Sequence, residues 1–229
     1  MKIFGLEKLS LVDFGSLSCA VVFTGGCNFI CPFCHNSGLV TQSVEPLNET
    51  EVLEYLRKRF GLLEGVVVSG GEPTLQSDLP DFLLKLKKLG YKVKLDTNGT
   101  NPTMLQYVID NKLVDYVAMD IKNSFDKYPL TTGIKKVDLD KISKSIEILK
   151  TSGIDYEFRT TLIAEYHEEK DILKIAELLK DAKKLYLQKF VSSDTCFLKN
   201  LSPVPLNNAE QFKNILNKSI SHVYLRGYV

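Results

Sequence analysis

Six apolar, β-branched runs recur along the chain, at 20–24, 65–69, 92–96, 116–120, 156–161 and 185–190. Each is followed by a segment whose apolar residues fall at i, i+3, i+4 and i+7, the period of a helix with one buried face. Residues 50–60 place Val52, Leu53, Leu56 and Phe60 on one side, and 79–89 place Leu79, Phe82, Leu83, Leu86 and Leu89. The segments 103–111, 139–152, 168–182 and 207–219 repeat the pattern. Asn101 followed by Pro102 marks one helix start, and Gly90 and Gly153 mark two helix ends. Six strand–helix units in series require a parallel sheet with helices outside it. The unit count is two short of a closed eight-fold barrel. A last apolar run, 223–225, is expected as an edge strand. No repeat, low-complexity stretch or linker divides the chain, so residues 1–229 are expected to form a single α/β domain.

Charge and composition exclude several partner classes. The 229 residues carry a formal net charge of +1 and 44% hydrophobic residues, enough for a full core without a basic face for nucleic acid or an anionic membrane. No run of about 18 apolar residues predicts a membrane span. Lys2, Glu7, Lys8 and Asp13 interrupt any signal-peptide core. Of five cysteines, three are clustered and two distant, which is not a disulfide framework. A reducing cytoplasm is the expected location.

Parallel barrels carry their active sites at the carboxyl ends of the strands. Here those ends read Thr24-Gly25-Gly26, Ser69-Gly70-Gly71-Glu72-Pro73-Thr74, Asp96-Thr97-Asn98-Gly99, Asp120-Ile121-Lys122, Arg159-Thr160-Thr161 and Gln188-Lys189. Glycine and asparagine end strands routinely. The charges on Glu72, Asp96, Asp120, Lys122 and Arg159 exceed what a turn needs.

The first strand runs into Gly25–Asn36, where Cys27, Cys31 and Cys34 are spaced Cys-x3-Cys-x2-Cys. Thiolates this dense suit a soft metal or an iron–sulfur cluster. A structural zinc needs four protein ligands and a simple ferredoxin cluster four cysteines. His35 adjoins Cys34, and sequence neighbours rarely reach one tetrahedral metal together. Three cysteines leave a coordination position open, as a catalytic site requires. A zinc-binding interaction module is the alternative outside enzymes.

The motif Cys-x3-Cys-x2-Cys, with Phe33 before its last cysteine, resembles the signature of radical SAM enzymes, and the string CNFICPFCHN resembles their glycyl-radical activating branch. The resemblance implies a partial (β/α)6 TIM-like barrel. It implies one 4Fe–4S cluster on Cys27, Cys31 and Cys34, with S-adenosylmethionine (SAM) chelating the fourth iron. It implies no catalytic side chain beyond the cluster and SAM, because the cofactor performs the hard step.

Gly70, Gly71 and Glu72 resemble the family's Gly-Gly-Glu motif for the amino group of SAM, although Gly-Gly-Glu-Pro is also a common turn. The string LDTNG resembles a stretch lining the SAM pocket, which makes Asp96 and Asn98 candidate contacts; an Asx turn is the plain alternative. Asp96, Thr97 and Asp120 would also suit a hard cation. Asp120 and Lys122 resemble the family's Asp-x-Lys, or form a structural ion pair. Arg159, in an apolar strand, needs an anion: the SAM carboxylate by resemblance, or Glu157. Phe33 is expected near the cluster or adenine. The resemblance further implies a glycyl-radical enzyme as partner, most closely an anaerobic ribonucleotide (ribonucleoside-triphosphate) reductase, with reduced flavodoxin or ferredoxin as electron donor in a low-oxygen setting. Phe14 is followed by Gly15-Ser16 where that subgroup has Pro-Gly. Activation of a pyruvate formate-lyase-like enzyme and a small-molecule reaction such as 7-carboxy-7-deazaguanine synthesis are the enzyme alternatives.

Overall fold

The computed structural model describes residues 1–43 and 45–228. Within them, strands β1 (Ile3–Ser10), β2 (Cys19–Thr24), β3 (Gly65–Gly70), β4 (Lys92–Thr97), β5 (Tyr116–Asp120), β6 (Asp155–Leu162), β7 (Lys184–Lys189) and β8 (His222–Arg226) form one sheet, ordered in space as in the chain. β1 runs antiparallel to β2, and all later pairs are parallel. Among the described residues β1 and β8 do not pair, so the curved sheet is an open partial barrel.

The helices follow the sequence pattern. Helix α1 (Ser37–Val40) lies in the cysteine loop. It is followed by α2 (Glu49–Arg59), α3 (Leu79–Lys88), α4 (Pro102–Asp110), α5 (Tyr128–Thr132), α6 (Leu139–Thr151), α7 (Glu169–Leu178) and α8 (Leu206–Leu216). The Asn101 side chain accepts the Met104 N–H with Pro102 in the first turn, as the sequence predicts. A capping box of Glu168 and Asp171 opens α7.

To the six expected parallel strands and the expected edge run the structure adds one strand, β1. β8 is the expected edge run. β1 has no clear period-2 signal, because only Ile3, Phe4 and Ser10 are buried and positions 7–9 face solvent. The α7 segment stops at Leu178 rather than reaching 182, and Asp181 adopts φ 64° beyond it. Helices α1 and α5, of four and five residues, are too short to show a period.

Strand alternation divides the interior. Val66, Val68, Val93, Leu95, Val117, Met119 and Phe158 join the main core with Leu83, Leu86 and Val108. Each such side chain stabilises by roughly 1.5–3 kcal/mol on burial. The other face of β2 and β3 presents Cys19, Val21 and Val67, which pack with Phe14 in a separate apolar cluster. On β4 and β6 the corresponding face carries Lys94, Asp96, Glu157 and Arg159, and buried charges there must find partners. No described helix is long and apolar enough to cross a membrane.

Candidate active site

All twelve residues singled out from the sequence line one cavity of about 420 Å³ at the carboxyl ends of the strands. That volume lies within the roughly 300–1,000 Å³ of small-molecule sites. Cys27, Cys31, Phe33 and Cys34 come from the loop after β2, and Gly70, Gly71 and Glu72 from the end of β3. Asp96 and Asn98 come from β4 and the turn after it, Asp120 and Lys122 from β5 and just beyond, and Arg159 from β6. Chain direction alone brings them together, because every strand from β2 onward points the same way.

The two glycines serve the contact between loops. The Gly71 N–H donates to the Thr24 carbonyl at 2.9 Å, and the Glu72 N–H donates to the Gly26 carbonyl at 2.8 Å. A Cβ on Gly71 would lie 1.9 Å from the Gly26 oxygen, and Gly70 sits at φ +118° with Thr24 backbone 2.4 Å from where its Cβ would be. No L side chain fits either place without moving the cysteine loop.

The Glu72 carboxylate is 1% exposed and engaged inside the protein. Its Oε1 accepts from the Thr74 N–H (3.1 Å), Thr74 Oγ1 (2.5 Å) and Thr97 Oγ1 (2.7 Å), and its Oε2 from the Asn98 N–H (2.6 Å). Burial raises its pKa against these hydrogen bonds. The side chain therefore ties the β3 turn to the β4 turn. Thr97 Oγ1 donates to Glu72 and accepts from the Gly99 N–H at 3.1 Å. Among the described residues no three His, Cys, Asp or Glu side chains are placed to hold a single metal ion.

Arg159 finds its anions on β5 and, beyond it, β4, rather than in Glu157. Its Nε donates to Asp120 Oδ1 at 2.9 Å and its NH1 lies 3.1 Å from Asp96 Oδ2. Its NH2 has no hydrogen-bond acceptor among the described residues. Lys122 Nζ donates to the other Asp120 oxygen at 2.9 Å. Burial would raise the Asp120 pKa, but Arg159 and Lys122 together hold it down to about 2. Burial would lower the Lys122 pKa, and Asp120 and the nearby thiols raise it overall. Asp96 also accepts from Ser69 Oγ at 2.9 Å, while its buried Oδ1 has no hydrogen-bond partner.

Sequence reasoning missed Lys94. It is 4% exposed, donates to the Asp13 carbonyl at 2.6 Å, and lies 3.8 Å from Asp96 and 3.6 Å from Glu157. A lysine two positions before Asp96 on a buried strand was the available signal. Glu157 is taken up by Lys94, Arg226 and the Tyr116 hydroxyl.

The Cys31 thiol is buried, and Cys27 and Cys34 are partly buried. Burial pushes Cys27 up to about 12 and Cys31 up to about 11, and raises Cys34 likewise, while the Lys122 ammonium opposes the shift at all three. They are neutral at pH 7 until a metal displaces their protons. Phe33 packs against Tyr166, with ring centroids 6.5 Å apart. His35 is held by the Val191 carbonyl at 2.6 Å and by stacking on Phe190, which ties the cysteine loop to the chain after β7. Cys196 belongs to the same junction: it is buried, and its sulfur donates to the Phe33 carbonyl at 3.6 Å. Three soft donors on one loop, Cys31 buried and Cys27 and Cys34 partly so, with N–H groups directed at Cys27 and a cation beside them, fit an iron–sulfur group.

The chain is similar to known proteins over most of its length. A protein of Methanocaldococcus jannaschii, named as a candidate glycyl-radical enzyme activating enzyme, is 34% identical over 229 residues, 97% of this chain and 94% of the relative. The pyruvate formate-lyase-activating enzyme of Clostridium pasteurianum is 29% identical over 191 residues, 79% of this chain and 76% of that enzyme. Among solved structures, Streptococcus suis SuiB bound to S-adenosylmethionine superposes with a TM-score of 0.69 at 15% identity, over 90% of this chain and 50% of that one. Native anSMEcpe with bound S-adenosylmethionine superposes with a TM-score of 0.58 at 19% identity, over 85% of this chain and 57% of that one. The family model for the radical SAM superfamily matches residues 21–184, from β2 to the first residue of β7, and the chain belongs to that superfamily.

Proposed function

We propose that this chain is a glycyl-radical activating enzyme that reductively cleaves SAM and places a radical on a glycine of a partner enzyme. The observation that carries the reading is the near full-length similarity to a relative named for that activity. In this reading Cys27, Cys31 and Cys34 hold one 4Fe–4S cluster, which when bound supplies the electron that cleaves SAM. The chain's own residues bind and orient. The NH2 edge of Arg159 and the Lys122 ammonium supply positive charge for the SAM carboxylate. The backbone of Gly70 and Gly71 lines the same cavity. Glu72 acts here as a brace between the β3 and β4 turns.

The open side between β1 and β8 supports a macromolecular substrate over a small one, because a partner's loop needs a lateral entrance. We take the partner to be an anaerobic ribonucleoside-triphosphate reductase, supplied with electrons by a reduced flavodoxin or ferredoxin. The Clostridium pasteurianum relative favours a second partner, a pyruvate formate-lyase-like enzyme. The test is anaerobic purification with iron and sulfide analysis, then EPR of the reduced protein with and without SAM. A cluster signal that changes with SAM supports the reading. A colourless protein carrying one zinc overturns it. Mixing with each candidate partner and recording the glycyl-radical doublet decides between the two.

A further inference from the structure

We infer that Asn98 donates a hydrogen bond to the Cys27 sulfur and thereby sets the reduction potential of the group that the three cysteines hold. The inference rests on the iron–sulfur reading above, and it assigns Asn98 to the cluster rather than to SAM.

The orientation of the Asn98 amide follows from its neighbours. The Thr100 N–H can only donate, and it meets the Asn98 side chain at 3.0 Å, so the atom it meets is Oδ1. The Thr100 hydroxyl adds a second hydrogen bond to Oδ1 at 2.6 Å. Nδ2 must then point the other way, where its two hydrogens have two acceptors: Asn28 Oδ1 at 2.9 Å and Cys27 Sγ at 3.9 Å. Asn28 is oriented in turn, since its Nδ2 donates to Thr100 Oγ1 at 2.9 Å. The Asn98 backbone N–H is held by Glu72 Oε2 at 2.6 Å. Asn98 is 5% exposed, and both ends of its amide are used within the protein.

Cys27 thus receives two N–H groups, from Phe29 in its own loop at 3.4 Å and from Asn98 at the end of β4. Reduction adds negative charge to the cluster and its sulfurs, so an N–H aimed at a ligand sulfur stabilises the reduced state more than the oxidised one. Removing that donor makes the potential more negative.

The test is an anaerobic redox titration of the reconstituted protein, followed by EPR without SAM or partner, with iron counted per chain. Asn98→Leu removes the donor. Asn98→Asp keeps the shape and the acceptor for the Thr100 N–H but turns a carboxylate toward the sulfur. Thr100→Val removes only the hydroxyl behind the amide. The expected result is a negative shift of up to about tenfold in the couple for Asn98→Leu, about 59 mV for one electron, a larger shift for Asn98→Asp, and a smaller one for Thr100→Val. The proposal is overturned if either Asn98 variant keeps its cluster at the wild-type potential, or if Thr100→Val shifts as far as Asn98→Leu. It is also overturned if neither Asn98 variant holds iron, because Asn98 would then shape the loop rather than tune the couple. A wild-type protein without an iron–sulfur signal would instead sink the cluster reading itself.

Discussion

Replacing Arg159 with methionine strands two carboxylates. Arg159 holds Asp120 Oδ1 at 2.9 Å and Asp96 Oδ2 at 3.1 Å, and the side chains of Arg159, Asp96 and Asp120 are 13%, 15% and 28% exposed. Removing one partner of a fully buried ion pair costs about 3–5 kcal/mol. Asp120 opens onto the cavity and keeps Lys122, so the expected loss at pH 7 is smaller, about 2–4 kcal/mol. The pH dependence gives the sharper test. In the native protein Asp120 is held down to about 2, below its ordinary 3.8. Its contribution is therefore present above pH 3.8 and is lost as pH falls through about 2. Without Arg159 the largest opposing charge is gone, burial raises the pKa, and the ionised carboxylate weighs against folding as pH rises. The difference between native and Arg159→Met should be greatest at pH 7 and shrink by pH 4. Urea unfolding of the cofactor-free protein under argon at the two pH values measures it, with the slope m unchanged if only stability has moved. A loss at pH 7 below about 1 kcal/mol, the level of a surface ion pair, or one that does not shrink in acid, would refute the argument.

Gly71→Ala drives a methyl to within 1.9 Å of the Gly26 carbonyl, so it should destabilise by about 1–3 kcal/mol and weaken SAM binding; equilibrium dialysis that finds wild-type affinity would contradict this. Alanine at Cys27, Cys31 or Cys34 should each abolish cluster assembly, whereas Cys196→Ser should retain it, as iron analysis after anaerobic reconstitution will show. His167 is buried between the Ile163 and Lys122 backbones, and burial lowers its pKa from 6.5 to about 4. The unfolded chain takes up that proton first, so about 3 kcal/mol of stability should be lost as pH falls from 6.5 to 4; a His167→Gln variant with the same acid profile would argue otherwise.

Much of the site could be read along the chain because a parallel sheet turns a linear rule into a spatial one. Once 20–24, 65–69, 92–96, 116–120 and 156–161 are strands joined by helices, their carboxyl ends must share one face, and the polar residues there must meet. The same rule puts the cysteine loop and the Gly-Gly-Glu turn at one end of the sheet, where the cavity lies. β1 was not legible, because an edge strand exposed at positions 7–9 loses the alternation that marks a half-buried strand.

The strand–helix alternation, the three-cysteine loop and the residues that surround the cavity are all legible along the chain. The partner that each of them takes is visible only once the strands are assembled. Arg159 reaches Asp96 across the whole width of β5, and Glu72, at the cavity wall, takes hydrogen bonds from Thr97 and Asn98. Lys94 fills the space between Asp96 and Glu157. Periodicity tells a residue which face it occupies, but hydrogen bonds and ion pairs depend on register and approach between strands, which no single stretch of sequence encodes.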